Sequence, residues 1–159
     1  MADEDMKTTE FKDCFNVNFV KMNNLAKIPT RGSEYAAGWD LYAATEYDME
    51  IPPHETIKVG TGLKIALPNW VFGAIFARSG IATKQGLRPA NCVGVIDSDY
   101  RGEIIVALHN DTNENQVVPA GSRIAQIVAV PYWSFIWNKV ESLDETERGE
   151  GGFGSTGTK

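Results

Sequence analysis

The sequence predicts an all-β domain, on three observations. Short runs alternate apolar and polar residues at a period of two, in residues 16–22, 56–59, 63–67 and 123–132. Glycine and proline, 15 and 7 of 159 residues, are scattered between these runs and so mark turns rather than one linker. No segment sustains the 3.6-residue apolar period of a packed helix, and only residues 80–86 offer a single helical turn. Many short strands separated by such turns suit a sandwich, jelly roll or barrel.

The elements follow in chain order. Residues 1–15 are polar, a lead-in expected to be frayed, and the β-domain is expected to span 16–143, with a glycine-rich arm from 144 to 159. Residues 16–22 make a first strand, and Pro29, Arg31 and Gly32 a loop. In residues 36–43, small residues permit close backbone approach while Trp39 and Leu41 face inward. Residues 47–51 predict a short edge strand, because the following Pro52-Pro53 cannot enter a hydrogen-bonded ladder. Two alternating runs flank the Gly60-Thr61-Gly62 bend, and Pro68-Asn69 turns into a strand over 70–77. Residues 94–96 and 104–108 predict a hairpin around a polar turn. Residues 116–120 end in the turn Pro119-Ala120-Gly121-Ser122, before the strand over 123–132. Residues 135–140 read as a last strand.

Composition narrows the function. A net charge of -6 argues against nonspecific binding to nucleic acid or to an acidic membrane surface, but not against a small anion held by a few arginines. Two cysteines, Cys14 and Cys92, specify no disulfide framework. Without a signal peptide or apolar spanning stretch, the expected setting is intracellular and soluble. His54 and His109 stand far apart, and no CxxC, HExxH or calcium-loop pattern appears, so no protein-built metal cage is expected.

Four clusters can carry chemistry. The first is residues 94–103, where Val95 and Ile96 run straight into Asp97, Ser98, Asp99, Tyr100, Arg101 and Gly102. Asp97 is expected near the buried end of its strand, where an ionised carboxylate needs partners or a task. In the second, Arg78-Ser79-Gly80, a guanidinium leaves an apolar strand beside a hydroxyl and a glycine, a combination suited to phosphate. The third is Arg123-Ile124-Ala125-Gln126, with an arginine suited to an ion pair and a glutamine that needs partners in an apolar run. The fourth is the arm from Arg148 to Gly157. Its glycines let consecutive amides face an anion, Ser155 and Thr156 add donors, and Phe153 has no core of its own and suits stacking on a base.

These clusters, together with Ala37-Gly38-Trp39-Asp40-Leu41-Tyr42-Ala43, resemble in order the five motifs of the trimeric dUTPase family. The resemblance runs from about Ala26 to the C-terminus. Trp39 stands where the family usually has tyrosine or leucine, and Ala77 where proline or serine often precedes the arginine. The resemblance implies a jelly-roll-like, distorted β-barrel protomer of the β-clip type with at most one short helix. It implies a homotrimer whose active sites are shared between subunits and hydrolyse dUTP to dUMP and pyrophosphate, supplying dUMP and limiting uracil in DNA. Mg²⁺ would be held mainly through the substrate phosphates.

The same resemblance distributes the roles. Asp97 would be the general base. Arg78, Ser79, Gly80, Gln126, Arg148, Ser155 and Thr156 would hold phosphates. Asn91, Cys92, Gly94, Val95, Asp97, Tyr100 and Phe153 would form the nucleoside pocket, with the Tyr100 ring against the deoxyribose. Asp40, Asp99, Arg101 and Arg123 would be supporting. A dCTP deaminase is the closest alternative on such a fold, but its expected glutamate pattern is absent.

Overall fold

The computed structural model describes residues 14–152. Its strands are β1 (Asn18–Lys21), β2 (Trp39–Tyr42), β3 (Met49–Ile51), β4 (Thr56–Gly60), β5 (Leu63–Ala66), β6 (Val71–Phe76), β7 (Leu87–Pro89), β8 (Gly94–Ile96), β9 (Ile105–Asn110), β10 (Gln116–Val118) and β11 (Arg123–Pro131), with one helix, α1 (Ser79–Gln85). The fold is all-β and jelly-roll-like, as expected. Every strand pair is antiparallel.

Two sheets carry the core. One has the order β2-β11-β6-β8 and the other β4-β9-β7, with β1-β5 and β3-β10 as two-stranded ribbons. Leu41, Ile75, Ile124 and Ala125 from the first sheet meet Val59, Leu87, Val106 and Leu108 from the second, with Ile51 and Val118 from the β3-β10 ribbon. Alternation places these side chains: on β9, Val106, Leu108 and Asn110 point inward while Ile105 faces out. On β11 a bulge between Arg123 and Ala125 breaks the period, so the consecutive Ile124 and Ala125 are both buried. Helix α1 occupies the turn the sequence allowed, and it stops because Gly86 adopts φ 62°, a left-handed cap that favours glycine.

Several expectations fail for stated reasons. Residues 94–108 do not form a hairpin. β8 pairs with β6 in one sheet, whereas β9 pairs with β4 and β7 in the other. The polar turn between them is a crossing from sheet to sheet. Trp39 does not join Leu41 in the core but is 44% exposed: it opens β2 beyond the core's edge, with the Arg31 guanidinium 4.9 Å above its ring. Residues 135–140 are not a strand, since no other segment of the described chain pairs with them. Trp133, Ile136 and Trp137 are left 93, 95 and 88% exposed. Leu87–Pro89, too short and too proline-limited to read as a strand, nonetheless pairs with β9.

Candidate functional site

A cavity of about 240 Å³ opens where the sheet-crossing turn leaves β8. Ile75, Pro89, Ile96, Val106 and Ala107 give it apolar walls, and Asn91, Asp97, Tyr100 and Glu103 add polar groups. Gly94 and Val95 also line it, whereas Cys92 stands just outside. It is smaller than the roughly 300–1,000 Å³ usual for pockets that enclose a drug-sized ligand.

The turn around Asp97 is tightly braced. The Tyr100 amide donates to the Asp97 carbonyl at 3.1 Å, and Arg101 Nη1 donates to the carbonyls of Ser98 and Tyr100 at 2.7 and 2.9 Å. Glu103 Oε1 accepts the Gly62 amide at 2.8 Å, tying the turn to the β4–β5 bend. The Tyr100 hydroxyl donates to the Glu103 carbonyl at 3.1 Å, which lays its ring across Gly102, where any side chain would collide with the phenol. Arg101 and Glu103 therefore fix the turn, and Asp99 is exposed without a bond that would give it the same part among the described residues.

Asp97 itself departs from expectation. It is exposed, not buried at the strand end, because the chain turns out of the sheet at that residue. Its carboxylate has no ion pair or hydrogen bond among the described residues while facing the cavity. A carboxylate so placed can take a proton or orient a water without first breaking a bond.

A second constellation lies across β2, β11 and β6, where Asp40, Gln126 and Phe76 stand in register. Asp40 is only 8% exposed. Its Oδ1 accepts Arg78 Nε at 2.7 Å and its Oδ2 accepts Arg123 Nη1 at 3.2 Å. Arg78 thus spends one N–H on Asp40, and its two terminal nitrogens have no partner among the described residues. The Gln126 amide donates to the Ala77 carbonyl at 2.9 Å, which satisfies this half-buried group and pins the backbone beside Arg78. Ser79 and Gly80 open α1, with Gly80 facing open space.

The chain does not bring the two constellations together. Neither Arg78, Ser79, Gly80 nor Gln126 lines the cavity. Ile96, the residue before Asp97, pairs with Gly73, five residues before Arg78 on the same strand line, so the two groups leave the sheet at different points along β6. Arg148 is elsewhere again: its Nε donates to the Gly151 carbonyl at 2.8 Å, and the hydrogen bonds of Arg148, Gly149 and Gly151 stay within residues 146–151. Phe153, Ser155 and Thr156 lie outside the described residues.

Sequence reasoning missed one polar network beside the cavity. Arg88 grips Asp111 through Nε at 2.7 Å and Nη2 at 3.0 Å. This pair, mainly through its hydrogen bond, holds the Asp111 carboxyl below the usual aspartate value and raises Arg88 further. His109 Nδ1 shares a hydrogen bond with the Thr56 hydroxyl at 2.9 Å, and its Nε2 lies 3.4 Å from Asp111. Asp111 follows directly on Asn110, whose position at the head of a polar run was the available signal. Among the described residues no group of three or more His, Cys, Asp or Glu could hold a metal ion, and no helix is long and apolar enough to cross a membrane. Cys14 and Cys92 are free thiols.

Comparison with known proteins gives these features a family. A family model described as dUTPase matches residues 24–157. The deoxyuridine 5'-triphosphate nucleotidohydrolase of Desulfitobacterium hafniense (strain DSM 10664 / DCB-2) is 49% identical over 142 residues, covering 89% of this chain and 94% of its own. The mitochondrial deoxyuridine 5'-triphosphate nucleotidohydrolase of Homo sapiens is 45% identical over 141 residues, covering 89% of this chain and 54% of its own. Among solved structures, a variant of the Staphylococcus bacteriophage 80alpha dUTPase with dUpNHpp superposes with a TM-score of 0.82 at 25% identity, covering 89% of this chain and 98% of that one. The chain belongs to the dUTPase family of nucleotide hydrolases.

Proposed function

We propose that this chain hydrolyses dUTP to dUMP and pyrophosphate by attack of water on the α-phosphorus, with Asp97 as the general base. The observation that carries the reading is the Asp97 carboxylate, without a partner among the described residues, on the wall of a cavity that Tyr100 flanks. Water forms a bond to the α-phosphorus, its proton passes to Asp97, and the bond to the β-phosphate oxygen breaks to release pyrophosphate. The product dUMP is a precursor for other deoxynucleotides, and removal of dUTP keeps uracil out of DNA.

The cavity would take the nucleoside. Asn91 and the backbone near Cys92, Gly94 and Val95 read the uracil edge, whose donors and acceptors reject thymine and cytosine by fit and by unpaired groups. The Tyr100 ring, held over Gly102, packs on the deoxyribose and leaves no room for a 2'-hydroxyl. Arg78, its orientation set by Asp40, offers two free nitrogens to a phosphate, with Ser79, Gly80 and Gln126 beside it. The arm supplies Phe153 to stack on the base, and Arg148, Ser155 and Thr156 to grip outer phosphates and exclude water.

Arg78, Ser79, Gly80 and Gln126 do not line the cavity that Asp97 faces, which favours a site completed by other copies of the chain. So does the surface. Trp133, Phe135, Ile136 and Trp137 are largely exposed on an unpaired segment, and every residue of the β1 strand is exposed on its outer side. Burying each apolar side chain among them is worth about 1.5–3 kcal/mol, so a partner that covers them is favoured. A homotrimer with three shared sites meets both demands. Mg²⁺ fits the donor set as a guest of the triphosphate: the phosphate-facing groups are arginines and amides rather than a carboxylate cage. When bound it offsets phosphate charge and favours departure of pyrophosphate.

The test is to incubate the protein with Mg²⁺ and each of dUTP, dCTP, UTP and dTTP, following pyrophosphate and ammonia. Pyrophosphate from dUTP alone is expected. Ammonia from dCTP would assign a deaminase, and no turnover of any nucleotide would reject the reading.

A further inference from the structure

Arg88 does not line the cavity, yet it is tied to the loop that builds one wall of it. β7 runs into residues 90–93, where the backbone reverses twice in quick succession. The Cys92 amide donates to the Pro89 carbonyl at 3.0 Å, and the Val93 amide donates to the Asn91 carbonyl at 2.6 Å. Cys92 is therefore the centre of a three-residue turn, with φ 61°. That conformation suits glycine, and a residue with a side chain holds it only where its surroundings enforce it.

Arg88 is the side chain that reaches this turn. Its Nη1 donates to the Pro89 carbonyl at 3.4 Å and to Cys92 Sγ at 3.9 Å, so one nitrogen touches both ends of the first reversal. The other side of the guanidinium is forked onto Asp111. Asp111 is fixed in turn, since its amide donates to the Gly86 carbonyl at 3.0 Å and it follows the fully buried Asn110. Asn110 Nδ2 donates to the carbonyls of Ile51, Pro52 and Glu114. A continuous set of bonds thus runs from the core through Asp111 and Arg88 to Cys92, with Asn91 and Gly94 on the cavity wall either side.

We propose that Arg88 is a positioning residue for nucleoside recognition, holding Cys92 in its left-handed turn and thereby fixing Asn91 and Gly94 against the ligand. This rests on the reading of the cavity as the nucleoside pocket. Because the loop meets the base and not the reacting phosphorus, Arg88 acts on binding and leaves the chemical step alone.

The experiment uses the full chain with dUTP turnover and with dUMP binding by calorimetry. Arg88→Met keeps the aliphatic stem and removes every N–H. It is expected to raise KM for dUTP and Kd for dUMP about fivefold with kcat within about twofold of the parent. Arg88→Lys, which cannot form the fork, is expected to match it. Adding Cys92→Gly to Arg88→Met supplies a residue that takes positive φ freely, and is expected to return KM to within about twofold of the Cys92→Gly single variant. An unchanged KM in Arg88→Met overturns the proposal, whatever happens to its melting temperature. A raised KM that glycine does not restore overturns the route through Cys92. Failure of the parent protein to bind dUMP would instead reject the nucleoside pocket itself, a result separate from any comparison among variants.

Discussion

Asp40 holds Arg78 by a 2.7 Å bond to Nε, and the terminal nitrogens of the guanidinium have no partner among the described residues. The same carboxylate takes Arg123 on its other oxygen, so one buried group sets the direction of two cations. Replacing it with asparagine removes the charge both arginines rely on and leaves Arg78 free to rotate. Asp40→Asn is expected to destabilise the fold by about 1–3 kcal/mol in urea unfolding and to lower kcat/KM for dUTP by at least about tenfold. A stable variant with parental kcat/KM would show that Arg78 does not need Asp40 to face a phosphate.

Asp97 has the opposite character, a carboxylate with no ion pair or hydrogen bond among the described residues. Asp97→Asn is isosteric and should fold and bind dUTP normally while losing about 10²–10⁴-fold in kcat. Single-turnover kinetics beside calorimetric dUMP binding separate the two effects. Near-parental turnover would remove Asp97 from the chemical step.

Tyr100 is expected to police the sugar. Tyr100→Ala opens the face over Gly102 and should narrow the preference for dUTP over UTP by about 10-fold or more, chiefly by raising UTP turnover. The checking measurement is kcat/KM for both nucleotides. Tyr100→Phe loses the bond to the Glu103 carbonyl but keeps the ring, and should retain the preference.

The Arg88–Asp111 pair sets a pH signature. Asp111 is held below its ordinary value of 3.8 chiefly by the hydrogen bond from Arg88. A lowered folded-state value means the contribution is fully present above the ordinary value and is lost as pH falls through the depressed one. The stability difference between the parent and Asp111→Asn should therefore be flat from about pH 8 to pH 5, and should shrink only below the ordinary aspartate range. Urea unfolding across that range checks the sign. A difference that shrinks already between pH 7 and 5 would contradict this account of the pair.

How far these residues were legible in the sequence depended on distance along the chain. Alternation over 123–132 located β11, and the Pro68-Asn69 turn located β6, so Arg78 was correctly read as leaving an apolar strand. Asp40 was given a supporting part only by the family resemblance, and its double pairing was not legible, because Arg78 and Arg123 reach it from 38 and 83 residues away in sequence. The turn after β8 looked like a hairpin because its two flanks are adjacent and apolar. Which strand each flank pairs with is decided by the remainder of both sheets, and they choose different sheets. Residues 135–140 have the composition of a strand and no pairing partner among the described residues. Local pattern reports what a segment can bury, not whether its own chain supplies the cover.

The most direct test of a site shared between copies is subunit complementation. Asp97→Asn and Arg78→Ala are each expected to be nearly inactive alone. Unfolded together at equal amounts and refolded, they should regain about a quarter of parental activity, because random assembly then gives that share of sites an intact Asp97 from one copy and an intact Arg78 from another. Mixed assemblies that stay as inactive as either parent would place Asp97 and Arg78 in a site made by one chain, contradicting the shared arrangement.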